Sequence, residues 1–241
     1  MVITVSHRGY VKRNPVTHYR AQRRGGRGVK GMDAREEDFV EHLFVASTHA
    51  YILFFTNRGR VHWKKVHELP LLGRAAKGRA LAGVLALGED ERVQALLPVR
   101  SFEDAASEFV VIGTRKGIIK KTALTAFANP RRGGIIAINV DAEDEVVGAR
   151  RTQGDQEILL ATRKGKAIRF PESQVRPMGR SAAGVRGITL VGDDEVVGME
   201  ILSPGAMILT ATARGYGKRT PLADYRLQKR GGQGIITIRT K

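Results

Sequence analysis

Short apolar runs recur along this chain at wide, regular intervals, and each one ends in the same polar signature. The runs span residues 2–5, 51–55, 109–112, 158–161 and 207–211, most of them rich in β-branched or aromatic residues. Each is followed by Ser or Thr, any residue, Arg or Lys, and Gly. The copies are Ser6-His7-Arg8-Gly9, Thr56-Asn57-Arg58-Gly59, Thr114-Arg115-Lys116-Gly117, Thr162-Arg163-Lys164-Gly165 and Thr212-Ala213-Arg214-Gly215, spaced 50, 58, 48 and 50 residues from Gly to Gly. A strand-length run closed by polar residues and Gly predicts a hairpin, with second strands such as 118–121 and 167–170. A Gly-rich loop and a third apolar run follow, at 134–138, 187–190, 234–238 and, less cleanly, 83–87. Acidic turns then open a fourth strand at 144–148, at 194–198 and, more loosely, at 90–93. Helical signal is weak and confined to 35–46 and 102–108, a turn or two each.

Four strands per period of about fifty residues is the arithmetic of a propeller-like blade, because a lone blade cannot bury both faces of its sheet and must stack on neighbours. The expected fold is all-β: one domain over 1–241, a disc of about five four-stranded blades. The approximate repeats are 1–47, 48–105, 106–154, 155–203 and 204–241. The last copy stops after its third strand, as a chain cut within an array would, and a sixth blade in a longer parent protein fits that pattern.

Charge changes the picture next. With 41 Lys and Arg against 24 Asp and Glu, the net charge is +17, which favours nucleic acid, an anionic membrane or an acidic protein as partner. The absence of Cys removes disulfides and thiolate chemistry and fits a reducing compartment. No apolar stretch has the length to span a bilayer, and residues 2–5 carry no signal-peptide flank, so a cytoplasmic location is expected. The base before each turn Gly (Arg8, Arg58, Lys116, Lys164, Arg214) repeats in all five copies. Four residues after each Gly stand Arg13, Trp63, Lys121, Arg169 and Arg219. The bases are candidate rim contacts and Trp63 a packing residue. Because the acids gather at one strand connection and the bases at others, separate acidic and basic zones are expected.

The loop of the first copy reads Gln22-Arg23-Arg24-Gly25-Gly26-Arg27-Gly28. Paired glycines let the backbone approach a phosphate, and three guanidiniums offer forked donors to successive phosphates. Repeat five holds a near-duplicate, Gln228-Lys229-Arg230-Gly231-Gly232-Gln233-Gly234, at the same offset, and repeat three keeps Arg131-Arg132-Gly133-Gly134. Two other motifs fail on context: 26–31 fits a dinucleotide fingerprint without the strand and helix it needs, and 217–220 lacks most of a phosphate-binding loop. The six His lack the spacing and companions of a metal site.

The 22–28 heptapeptide resembles the box motif of the DNA-wrapping C-terminal domain of DNA gyrase A. The five repeats and phrases such as Gly9-Tyr10-Val11-Lys12 and Gly215-Tyr216-Gly217-Lys218-Arg219 extend the resemblance over nearly the whole chain. It implies a β-pinwheel that carries double-stranded DNA around a basic rim, with little base readout. It further implies a bacterial, cytoplasmic, nucleoid-associated protein. Its partners would be the breakage-reunion domain of the same polypeptide and a separate ATPase polypeptide in an A2B2 holoenzyme, the isolated domain being monomeric. In the family, ATP and Mg act elsewhere, so no cofactor or metal is expected in this segment. The family's breakage tyrosine follows an Arg and precedes a Thr, a context that Tyr10, Tyr19, Tyr51, Tyr216 and Tyr225 lack, so no catalytic residue is expected. Rival readings are the corresponding domain of topoisomerase IV, an RNA-binding protein suggested by the Arg-Gly-Gly tripeptides, and a protein-interaction propeller.

Overall fold

The computed structural model describes residues 1–19, 24, 25, 28, 31, 32 and 38–240. Five first strands, Val2–Ser6, Tyr51–Thr56, Phe109–Thr114, Glu157–Thr162 and Met207–Ala211, turn into five second strands, Tyr10–Asn14, Arg60–Lys65, Ile118–Ala123, Lys166–Pro171 and Gly217–Pro221. The recurring signature now has a physical reason. In every copy the Ser or Thr hydroxyl accepts the N–H four residues on, at 3.2 to 3.3 Å, while its carbonyl accepts the turn Gly N–H. The Gly itself stands at φ 74 to 84°, a region only Gly enters without strain.

The third strand does not join its own blade. Arg79–Ala80, Ile135–Ile136, Val185–Arg186 and Ile235–Ile236 each pair with the second strand of the preceding copy. Four sheets therefore contain, in order, a fourth strand, a first strand, a second strand and a strand borrowed from the next repeat. The fifth copy contributes a two-stranded sheet. The borrowed strands are shorter than the apolar runs suggest. The repeat-four strand precedes the expected 187–190, and 83–87 holds no strand: the residues after Arg79–Ala80 coil into a single helical turn, Leu81–Val84, whose first N–H bonds the Gly9 carbonyl at 2.8 Å. Nor do the two weak helical signals hold over the described residues; 35–37 of the first lie outside them. Val40–Val45 is the fourth strand of blade one. Residues 102–108 make two successive reverse turns, closed by Ala105 N–H to Phe102 and Glu108 N–H to Ala105.

Because the sheets of blades two to four are sandwiched between neighbours, their first strands are apolar on both faces, whereas the first strand of the fifth copy alternates exposed and half-buried residues. Ile52 and Phe54 pack with Ile3 and Val5 of blade one, while Leu53 and Phe55 pack with Val110 and Ile112 of blade three. Each such fully buried side chain stabilises the stack by about 2 kcal/mol. The fourth strands Val93–Val99, Val146–Thr152 and Val196–Leu202 lie against one another. They take the inner edge of the array, and the borrowed strands with their Gly-rich loops take the outer edge.

Candidate nucleic-acid interface

The bases before the turn Gly stand at the turn end of each sheet, and the acidic turns come to them. The Lys116 ammonium bonds Glu143 at 2.9 Å, and Lys164 bonds Asp193. The Arg8, Lys116 and Lys164 amides donate to Asp38, Asp144 and Asp194 at 3.0, 2.8 and 2.9 Å. These bonds have an electrostatic signature: the Lys116 and Lys164 hydrogen bonds hold the Glu143 and Asp193 carboxyls below their ordinary range. The expectation of separate acidic and basic zones is thus corrected, because the fourth strand's pairing with the first returns its acidic turn to the basic one. Arg92 and Glu145 extend the interlock between blades two and three at 2.6 Å. Arg58 and Arg214 are exposed, with no side-chain partner among the described residues.

The second-strand bases are placed differently from a free rim. Arg13 donates to the carbonyls of Leu69 and His67 at 2.8 and 2.9 Å, both in the next repeat. Arg169 holds Glu157 at 2.6 Å and the carbonyls of Leu222 and Tyr225 at 3.0 and 2.8 Å. Lys121 is buried, pairs with the fully buried Glu172 at 3.4 Å and lies 5.1 Å from the Phe109 ring centroid. The three act as clips from one blade to the chain of the next; the sequence displays the charge but not the carbonyls that receive it. Trp63, at the same register, packs edge-on to Tyr51 at 4.8 Å. Arg219 is exposed.

Of the box, Gln22, Arg23, Gly26 and Arg27 lie outside the described residues. Arg24, Gly25 and Gly28 are exposed, with the two glycines at φ 84 and 68° and open space where a Cβ would point. In the second box-like loop, Lys229 and Gln233 are exposed. Arg230 bonds the Gln174 and Arg186 carbonyls at 2.9 Å each, and the Gln228 amide bonds the Arg169 carbonyl at 2.8 Å. Gly231 and Gly232 are half-buried. Gly234 lies so close to the preceding blade that a Cβ would sit 2.4 Å from the Ala167 oxygen.

In register, the loops share residues that lie outside the two box-like motifs. Gly28, Gly78, Gly134, Gly184 and Gly234 all close their loops at positive φ, and Arg24, Arg74, Arg180 and Arg230 stand four residues before the closing Gly. The signal was available as a recurring Arg and Gly pair, hidden because Ala75-Ala76 and Ser181-Ala182 replace the paired glycines. Exposed Arg79, Arg131, Arg132 and Arg186 flank these loops, so the outer edge is basic in each of the four blades that hold a borrowed strand.

Comparison with known proteins agrees with this geometry. The family model described as "DNA gyrase C-terminal domain, beta-propeller" matches residues 1–47, 50–100, 108–153, 156–203 and 206–241. This chain belongs to that family. Curated DNA gyrase A proteins are similar to it: those of Haemophilus influenzae and Halalkalibacterium halodurans are each 51% identical over 187 residues, or 78% of this chain, and that of Salmonella typhimurium is 49% identical. The chain spans about a fifth of the length of these relatives, 21 to 22%. Among solved structures, the C-terminal domain of DNA topoisomerase IV matches with a TM-score of 0.83 and 30% identity, covering 98% of this chain and 71% of that one. A DNA gyrase A C-terminal domain matches with a TM-score of 0.76 at 24% identity, over 97% and 75% of the two chains. The gyrase C-terminal family fold, the β-pinwheel, is the all-β blade array expected from the repeat.

Proposed function

We propose that this domain binds and wraps double-stranded DNA on its outer edge, with little dependence on sequence, and so gives a gyrase-type topoisomerase a fixed sense of strand passage. The observation that carries the reading is the basic Gly-rich loop repeated at one register along the outer edge of successive blades. Phosphate contacts of this kind position a duplex without reading its bases. The chain supplies wrapping, while DNA cleavage and ATP hydrolysis belong to other domains of an A2B2 holoenzyme in the bacterial cytoplasm.

Energetics favour many weak contacts. Bending about 40 base pairs through half a turn costs on the order of 10 kcal/mol at a persistence length of about 150 base pairs. Each neutralised phosphate returns on the order of 1 kcal/mol at moderate salt, so about ten contacts offset the bend. The clips Arg13, Lys121 and Arg169 leave the list of donors; Arg74, Arg79, Arg180 and Arg186 join the box arginines, Lys229 and the exposed turn bases. Arg8, Arg58, Lys116, Lys164, Arg214 and Arg219 contribute charge beside the loops.

The log of affinity for a 40-base-pair duplex is expected to fall with log salt at a slope near −10, about 0.9 per contact. A slope shallower than about −4 rules out a wrap of this length. A topoisomerase IV origin is the second reading, favoured by the 0.83 TM-score; the intact box and the names of the curated relatives support gyrase.

A further inference from the structure

Buried ammonium groups are costly, because desolvation disfavours the charged form, and they are ordinarily paired with carboxylates. Lys12 and Lys120 depart from that pattern. Each stands three residues after a turn Gly, has no exposed surface, and has no carboxylate partner among the described residues. Lys12 Nζ donates to the carbonyls of Gly73, at 3.2 Å, and Arg74. Lys120 Nζ donates to the carbonyls of Ala137, at 2.7 Å, and Arg180. Each ammonium therefore sits beneath the Gly-rich loop of the next repeat.

Blade four provides an internal comparison, since Ile168 occupies the same register. There the repeat-five loop lies directly on the preceding chain: the Gly231 N–H bonds the Gly187 carbonyl at 2.7 Å, and Gln174 Oε1 accepts the Arg230 N–H at 2.8 Å. The repeat-four loop is also tied to the preceding chain, by Asn139 donating to the Ser181 and Ala182 carbonyls, but there the Lys120 ammonium bridges the carbonyls of Ala137 and Arg180, the counterparts of Gly187 and Arg230. The amides of Arg180 and Ser181 are left without an acceptor among the described residues, and Ser181 is exposed. Two N–H groups without an acceptor, the Arg180 guanidinium, which gives one N–H to the Ile136 carbonyl at 3.5 Å and keeps its other donors, and a cation beneath them make an anion cradle.

We propose that loops 73–78 and 179–184 are two phosphate-binding positions for a duplex backbone, and that Lys12 and Lys120 are positioning residues that prop each loop and place a charge under it. This inference rests on the DNA-wrapping reading. Because the charge is buried, salt screens it less than a surface lysine. The groups facing Lys120 are the Ala137 and Arg180 carbonyls and the Arg180 guanidinium; burial first, then that guanidinium, lowers its pKa to about 8. A phosphate above the loop favours the charged form, so duplex affinity falls as pH rises through 8. Folding responds with the opposite sign. Between the folded value and the ordinary 10.5 the unfolded chain binds the extra proton, so this group's contribution to stability rises with pH while affinity falls.

The test measures affinity of the 241-residue chain for a 40-base-pair duplex at pH 7 and 9.5, beside Lys120→Gln, which keeps an amide donor and removes the charge. Wild-type affinity is expected to drop about fivefold across that range, and Lys120→Gln to start lower and stay nearly flat. Arg180→Ala is expected to make the salt slope shallower by about 1. If Lys120→Gln fails to fold, carbon NMR of the lysine side chains decides in the wild type: the Lys120 pKa rises when duplex is added. An unchanged pKa, equal pH profiles for wild type and Lys120→Gln, or an unchanged slope for Arg180→Ala overturns the inference while leaving DNA binding intact. Absence of duplex binding at low salt overturns the wrapping reading itself.

Discussion

At residue scale the turn separates two neighbouring roles. Gly117 has φ 84°, and a Cβ there would meet the Ile188 oxygen at 2.9 Å, so Gly117→Val is expected to destabilise by about 3 kcal/mol through strain and backbone collision. Lys116 is half-exposed and its partner Glu143 is 87% exposed, so Lys116→Ala is expected to shift stability by no more than about 0.5 kcal/mol while lowering duplex affinity. Melting temperatures and binding curves of the two variants check this. The turn Gly was legible in the sequence because its conformation is set locally, by a hydroxyl and two hydrogen bonds inside the same hairpin. The clip roles of Arg13, Lys121 and Arg169 were not, because their acceptors lie more than fifty residues away in the next repeat.

At element scale the governing feature is the strand lent to the preceding blade. The sequence announces strand-like residues at 135–136 and 235–236, but with only two residues paired in each neither length nor partner can be read from periodicity. The exchange concentrates stability at blade junctions. Glu172, fully buried, holds Lys121 of the preceding repeat, accepts the Gln156 N–H at 3.3 Å and also accepts the Thr152 hydroxyl. Lys121→Met leaves that carboxylate without its cation and is expected to cost about 3 to 5 kcal/mol, whereas Lys121→Met with Glu172→Leu recovers much of the loss. Urea midpoints of the single and double variants measure it; equal destabilisation of both would mean the junction depends on packing alone.

At the scale of the whole molecule, charge and stacking meet. The repeat fixes a basic loop at the outer edge of each four-stranded blade, and net charge alone could not say which edge, since acids and bases interlock at the turn end. The box is expected to direct the wrap more than it anchors the duplex: Arg23, Arg24 and Arg27 changed together to Ala should reduce wrapping more than simple binding, because the remaining outer-edge arginines still hold DNA. Equal loss of both would make the box an ordinary contact patch. The most direct test of the central claim is the linking number of a relaxed circular plasmid closed by a nicking-closing enzyme in the presence of this domain. A wrapped duplex leaves a shift of one consistent sign that grows with protein per plasmid and disappears at high salt; a topoisomer distribution unchanged at saturating, low-salt binding would contradict wrapping.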